Sequence, residues 1–418
     1  MMPYSYKDGI LHVDEVPLED IASRFGTPVF VYSWSDIKTI YERMQSRLQD
    51  ARGQIYYAVK ANSNLSVIHR LAELGAGFDI VSGGELERVL MAGGAPEKTL
   101  FSGVGKTQAE ISLAIKLGIK AFSVESESEL QRIQSVAKNL AIRANLVLRV
   151  NPDIPIESHP YITTGLKENK FGMPLKQVER LYQEFGSDPW LNICGLSSHL
   201  GSQISSVEPY LIALENLLQL KARLSSKGFA VEMLDLGGGF GITYSEETPF
   251  EFGSFIERAF KLLKDEDIEI GIEPGRSLVA ESGTLLTRVE YLKPAVEKDY
   301  KNFVVVDAAM NDLIRPPLYS AYHQIDPVVQ QASQDEAREW DVVGPVCETG
   351  DFLGKGRRLC LEEGSLLAIR DAGAYAFTMS SNYNSRMRCA EVLVEGNQIS
   401  LIRERESFQD LVQNERIV

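Results

Sequence analysis

The sequence predicts an α/β protein: a closed (β/α)8 barrel of the TIM type, followed by a mostly β domain. Three observations carry that reading. Between residues 53 and about 280, eight short apolar runs alternate with amphipathic stretches. After Gly283 that rhythm stops and strand-like runs follow one another directly. Several polar residues stand just behind the apolar runs, at the strand ends where barrels of this type keep their chemistry.

The apolar runs are Ile55–Val59, Phe78–Val81, Thr99–Ser102, Lys120–Val124, Asn145–Val150, Ile193–Ser198, Met233–Leu236 and Ile268–Ile272. Each is short and rich in Val, Ile, Leu or Phe, as a strand covered on both faces must be. Between them, Leu65–Leu74, Glu85–Met91, Thr107–Leu117, Ser126–Val136, Leu175–Phe185, Pro209–Leu224 and Phe250–Leu263 have helical spacing. In the first of these, Leu65, Ile68, Leu71 and Leu74 recur every three residues behind a capping Asn62–Asn64 segment. An open doubly wound sheet is the alternative. It would want a GxGxxG turn after its first strand, where this chain has Lys60-Ala-Asn-Ser.

Beyond Gly283, the segments Thr284–Leu292, Phe303–Ala308, Trp340–Val343, Leu366–Asp371, Glu391–Val394 and Ile399–Ile402 read as strands, and only Phe408–Gln413 as helix. The N-terminal pieces Ile10–Val13, Leu18–Phe25 and Pro28–Tyr32 group with them. The expected division is therefore a barrel over 30–280, with 1–29 and 281–418 forming a β-sandwich or Greek-key barrel that serves both active site and dimer interface.

With 418 residues, the chain is long enough to bury its core without disulfide or metal staples. A net charge of −15 argues against sequence-independent nucleic-acid binding, and no apolar run approaches a membrane span. The N-terminus shows no signal-peptide pattern. Cys194, Cys347, Cys360 and Cys389 form no CxxC pair, and five scattered histidines add no partner cluster, so no metal site is expected and a reducing cytoplasm suits the chain.

Four strand ends carry candidate chemistry. Lys60 closes the first run; among apolar side chains it would become a nucleophilic amine, and otherwise it is a lysine reaching out to water. His199, after the sixth, could stack on a planar ring, move a proton, or simply satisfy a hydrogen bond. Gly237-Gly-Gly-Phe-Gly241 follows the seventh run, where barrels hold phosphate and where glycines let backbone N–H groups approach an anion. Glu273-Pro-Gly-Arg276 follows the eighth: a carboxylate for a ring nitrogen and a bidentate donor, or merely a structural ion pair. An amine, a stacking imidazole, a phosphate nest and a carboxylate together are what pyridoxal phosphate requires of a protein.

Seven motifs in order make the chain resemble the barrel-fold (fold-type III) pyridoxal-phosphate decarboxylases, and within them the diaminopimelate decarboxylases. They are Tyr57-Ala-Val-Lys-Ala-Asn62, the stretch from His159 to Gly172 (HPYITTGLKENKFG), His199-Leu-Gly-Ser-Gln203, Gly237–Gly241, Glu273–Arg276, Cys347-Glu-Thr-Gly-Asp351 and Asp371-Ala-Gly-Ala-Tyr375. One departure is Met387, where relatives usually carry proline.

The resemblance implies decarboxylation of meso-2,6-diaminopimelate to L-lysine, the last step of lysine biosynthesis, by a cytoplasmic enzyme. Lys60 would tether pyridoxal 5′-phosphate covalently and His199 would stack on its ring. Ser202, Gly237, Gly238, Gly239 and Tyr375 would hold the phosphate, Glu273 would keep the pyridine nitrogen protonated, and Asp79, Gly275 and Arg276 would complete the cofactor site. Cys347 would protonate the product carbon; Arg276, Arg315, Tyr319, Glu348 and Tyr375 would bind the distal end of the substrate. The family also implies a head-to-tail homodimer in which the cysteine and glutamate serve the partner's site. Competing readings are another decarboxylase or racemase of the same fold, and a cofactor carrier or inactive relative. The carriers lack the second domain, and an inactive relative would be expected to lose Lys60 or Cys347, both of which are present.

Overall fold

A computed structural model describes residues 3–48, 52–154, 170–264, 266–297, 299–330 and 337–418. The chain divides into two compact units, one of residues 1–40, 243–247 and 278–418, the other of 41–242 and 248–277. Against expected boundaries at 30 and 280, the units part at 40 and 277.

The second unit contains a closed eight-stranded parallel barrel. Its strands, in chain order and in order around the barrel, are Gly53–Ala58, Gly77–Ile80, Thr99–Phe101, Ala121–Val124, Ala144–Arg149, Leu191–Ser197, Met233–Asp235 and Glu269–Ile272. All eight sequence-predicted runs are strands, displaced by one or two residues at their ends. Helices intervene, and their starts follow local chemistry. The Asn64 side chain accepts from Ser66 N–H at 2.9 Å and caps Leu65–Glu73, while Ser82, Thr107 and Ser126 cap the next three long helices. The first of these helices buries Val67, Ile68 and Leu71.

Side chains alternate across a strand, so every second residue points into the barrel. Tyr56, Leu100, Ala121, Val147 and Met233, drawn from five different strands, form one buried apolar cluster. Side chains from strands one, three, four, five and seven can meet only inside. Glycines complete that layer where bulk is excluded: a Cβ at Gly77 would lie 2.6 Å from the Tyr56 ring, and one at Gly271 3.0 Å from Met233 Cε. Two residues further along the strands the character switches. Asp79, Ser102, Ser123, Arg149, Ser197, Asp235 and Glu273 line one cavity at the carboxyl end. An apolar floor beneath a polar ring is therefore written into the sequence at a spacing of two.

In the first unit, Gly283–Lys293 pairs with Phe303–Val306, Leu366–Ile369 and Val29–Ser33, the last of which also pairs with Ala390–Glu395. The strand formed near the N-terminus thus lies between two strands from the C-terminal third, within a branched nine-stranded sheet. A separate three-stranded sheet is made by Tyr4–Lys7, Ile10–Val13 and Val16–Pro17. Two corrections apply. Phe352–Leu359 is an eight-residue strand that the reading passed over. The tail is not the only helix after Gly283, since Arg315–Tyr319 is helical with proline in its first turn. Among the described residues no helix is long and apolar enough to cross a membrane.

Candidate active site

The cavity at the barrel's carboxyl end has a volume of about 410 Å³. Lys60 stands on the short turn Val59–Ala61 that follows the first strand. Its Nζ makes a short ion pair with Asp79 Oδ2 from the second strand. The expectation of apolar surroundings for this lysine is corrected: its neighbour is a fully buried carboxylate, and its side chain is one-third exposed. Burial raises the Asp79 carboxyl, the Glu273 charge adds to this, and Lys60 opposes both.

Glu273 is 6% exposed and takes its place after the eighth strand. Burial opposes its ionisation, yet hydrogen bonds from His199 and Asp235 and the charge of Lys60 hold it below the usual carboxylate range. Ser102 Oγ reaches Glu273 Oε1 at 3.5 Å. His199 Nδ1 lies 3.4 Å from Glu273 Oε2 and 3.2 Å from the Gly238 N–H. A ring protonated at Nδ1 donates to Glu273, and one unprotonated there accepts from Gly238; one nitrogen does not do both.

The glycine segment is constrained by backbone rather than by turn sterics alone. A Cβ on Gly238 would stand 1.9 Å from the Glu273 carbonyl oxygen, and one on Gly239 2.0 Å from that of Gly201. Gly237 and Gly239 have φ of 70° and 94°. Beside this cradle, Arg276 Nη2 donates to Ser202 Oγ at 2.9 Å, and Gly275 is buried.

Several participants escaped the sequence reading. Arg149 pairs with Glu125 at 2.5 Å, and Glu125 also accepts the Gly172 N–H at 2.8 Å. Lys106, fully buried, donates to Glu129 and to the carbonyls of Gly103 and Ser123, anchoring the cavity-lining loop Gly103–Gly105. Asp235, 1% exposed, closes the seventh strand. The spacing of two from the apolar layer would have found Asp235 and Arg149; nothing local marks Lys106.

The remaining expected residues lie in the first unit. Arg315 is 6% exposed, its guanidinium 4.5 Å from the Tyr244 ring and its Nη1 2.8 Å from His323 Nε2. His323 Nδ1 sits 2.7 Å from the Arg370 carbonyl, so Nδ1 carries the hydrogen and Nε2 accepts from Arg315. Arg315 is thus a braced, buried arginine. Tyr319 and Tyr375 are half-buried, Tyr375 at φ 55°. Cys347 and Glu348 are exposed on a loop fixed from behind. Asp351 accepts the N–H groups of Met310 and Val346 at 2.7 and 2.8 Å, and Cys347 N–H donates to Asn384 Oδ1 at 2.9 Å. Of the motif from His159 to Gly172, residues 159–169 lie outside those described.

The groups facing the cavity fit pyridoxal phosphate. An amine is available for an aldehyde and an ionised carboxylate for a ring nitrogen, and the Gly237–Gly239 run that follows the seventh strand leaves no room for a Cβ against the neighbouring main chain. Ser198 Oγ, buried and without a hydrogen-bond partner among the described residues, adds a donor.

Residues 34–280 match the pyridoxal binding domain of the pyridoxal-dependent decarboxylases. Diaminopimelate decarboxylase of Pseudomonas aeruginosa is 50% identical over 419 residues, covering 100% of both chains. This chain belongs to the diaminopimelate decarboxylase family. The Vibrio cholerae enzyme of that name is 48% identical, over 97% of this chain and 96% of that one. Among solved structures, diaminopimelate decarboxylase from Helicobacter pylori in complex with L-lysine superposes with a TM-score of 0.90 at 39% identity, over 95% of this chain and 99% of that one. The M. jannaschii enzyme in co-complex with L-lysine gives 0.92 at 35% identity, over 99% and 98%.

Proposed function

We propose that this chain is a carboxy-lyase that converts meso-2,6-diaminopimelate to L-lysine and carbon dioxide, the last step of lysine biosynthesis, with pyridoxal 5′-phosphate as cofactor. The observation that carries the reading is one cavity in which the Lys60 amine and the Asp79 and Glu273 carboxylates converge, in a chain that aligns end to end with diaminopimelate decarboxylases. When bound, pyridoxal phosphate supplies an electron sink for the pair left behind by carbon dioxide.

The chain's own residues do the rest. Lys60 binds the aldehyde through its amine, and Asp79 orients that amine. Gly237, Gly238, Gly239, Ser202 and Tyr375 hold the phosphate, and Gly275 and Arg276 complete the cofactor site. His199 covers a ring face, and Glu273 keeps the ring nitrogen protonated, which is what makes the sink effective. Cys347 gives a proton to the product α-carbon, a task suited to a thiol with a reference pKa of about 8.5.

Arg276 and Arg315 receive the distal carboxylate, Glu348 the distal ammonium, and Tyr319 and Tyr375 add hydrogen bonds. Diamine precursors lacking that carboxylate would forgo its contacts to the two arginines, a discrimination of the kind that polar sites enforce strongly. Cys347 and Glu348 act in the cavity of a second copy, in a homodimer with shared sites. Sparse free cysteines suit a cytoplasmic location.

The decisive assay compares carbon dioxide release from meso-diaminopimelate, L-ornithine, L-lysine and L-arginine. Preference for meso-diaminopimelate is expected, and preference for any other overturns the substrate assignment. Mixing inactive Lys60→Ala and Cys347→Ala proteins tests the shared site: random exchange restores about a quarter of wild-type turnover, whereas no recovery refutes it.

A further inference from the structure

Arg315, assigned to the distal carboxylate, is 6% exposed. A guanidinium on so long a side chain has many rotamers, so its neighbours must aim it. Arg315 opens the short helix Arg315–Tyr319, which ends at Ser320, φ 52°, whose N–H returns to the Arg315 carbonyl. The chain then doubles back and brings His323, fully buried, to the guanidinium: Arg315 Nη1 lies 2.8 Å from His323 Nε2.

The imidazole is itself held. Its Nδ1 lies 2.7 Å from the Arg370 carbonyl, and the His323 carbonyl accepts from Arg357 Nη2 at 2.9 Å. The Tyr244 ring meets it edge-on, with centroids 5.4 Å apart, and the same ring lies 4.5 Å from the Arg315 guanidinium. A carbonyl oxygen cannot donate, so Nδ1 bears the hydrogen; a guanidinium cannot accept, so Nε2 is bare and receives the Arg315 N–H. The ring is a neutral acceptor. Glu125 fixes Arg149 by neutralising it, whereas an imidazole fixes a guanidinium at one corner and leaves its positive charge for a ligand.

We infer that His323 is a positioning residue: as a neutral imidazole anchored to the Arg370 main chain, it holds the Arg315 guanidinium in the orientation that receives the substrate's distal carboxylate. The inference rests on the reading of Arg315 as a receptor of that carboxylate.

The test uses the full-length holoenzyme as wild type, His323→Gln, His323→Asn and Arg315→Gln, with kcat and KM for meso-diaminopimelate measured for each. The longer amide can place its oxygen where Nε2 stands and keep an acceptor for Arg315. The shorter one can place its nitrogen where Nδ1 stands, keeping the bond to the Arg370 carbonyl but not the acceptor. Positioning predicts that His323→Asn raises KM about tenfold or more with kcat nearly retained, as the loss of a hydrogen bond to a charged group should, and that His323→Gln brings KM back near the wild-type value. A merely structural role predicts the reverse order, since the Asn variant keeps the main-chain bond and the Gln variant loses it.

That reverse order, or KM values that do not differ between the two variants, overturns the inference. Should His323→Asn not fold, the wild-type ring decides. In NMR spectra of protein carrying nitrogen-labelled histidine, His323 must be the Nδ1–H tautomer, and its Nε2 resonance must move when L-lysine, which keeps the distal carboxylate, is added. The opposite tautomer or an unmoved resonance overturns the inference. Failure of the underlying reading shows separately, because Arg315→Gln would then leave KM at its wild-type value.

Discussion

The barrel and the β-rich unit hold their reactive groups in opposite ways. At the barrel mouth, ionisable side chains are matched and, apart from the one-third exposed Lys60, buried: Lys60 with Asp79, Arg149 with Glu125, Lys106 with Glu129. In the other unit, Cys347 and Glu348 are exposed, and what is fixed is the backbone beneath them, through Asp351 and Asn384. Desolvated charges tolerate little movement, because an ion that loses its partner in a dry site is costly. A loop that presents side chains to solvent carries no such cost until a cavity closes over it. The barrel is thus a finished receptor, and the Cys347 loop is a prepared surface, the arrangement required if its cavity belongs to a second copy.

Three substitutions put that contrast to the test. The largest effect is expected from Lys60→Ala, which should abolish both turnover and the absorbance of bound cofactor; a variant with full activity would remove the barrel's claim to the chemistry. Cys347→Ala should bind cofactor normally and lose about 10²–10⁴-fold in turnover, the usual contribution of a positioned proton donor. Cofactor loss in that variant would show that the loop builds the receptor rather than completing it. Smallest for catalysis is Lys106→Met. It strands buried Glu129, so denaturant titration should show about 3–5 kcal/mol lost, with turnover per folded molecule nearly retained. A collapse in turnover at unchanged stability would mean that the Gly103–Gly105 loop acts directly on the substrate.

The barrel strands were legible because each is covered on both faces and so reads as an unbroken apolar run. Phe352–Leu359 was not. Gly354, Gly356 and three cations make it look like a turn, and it is a strand because Arg338–Val343 pairs with it across two irregularities. Lys60, His199, the glycines and Glu273 were found from their places after strands. The Asp79 partnership was not foreseen, since it joins two neighbouring strands whose register only the folded sheet sets. Asp235 was within reach: it stands two residues beyond inward-facing Met233, as Glu273 stands beyond Gly271. His323 bracing Arg315 follows no local period, and only the fold reveals it.

The near-contact of Gly238 with the Glu273 carbonyl makes the site a caliper. On the proposed reading one jaw would grip an anion and the other would meet a ring edge, with main chain pressed against main chain between them. A phosphorylated heterocycle one bond longer or shorter should seat at one jaw and miss the other, so the pocket gauges the length of its guest before any side chain reads its identity.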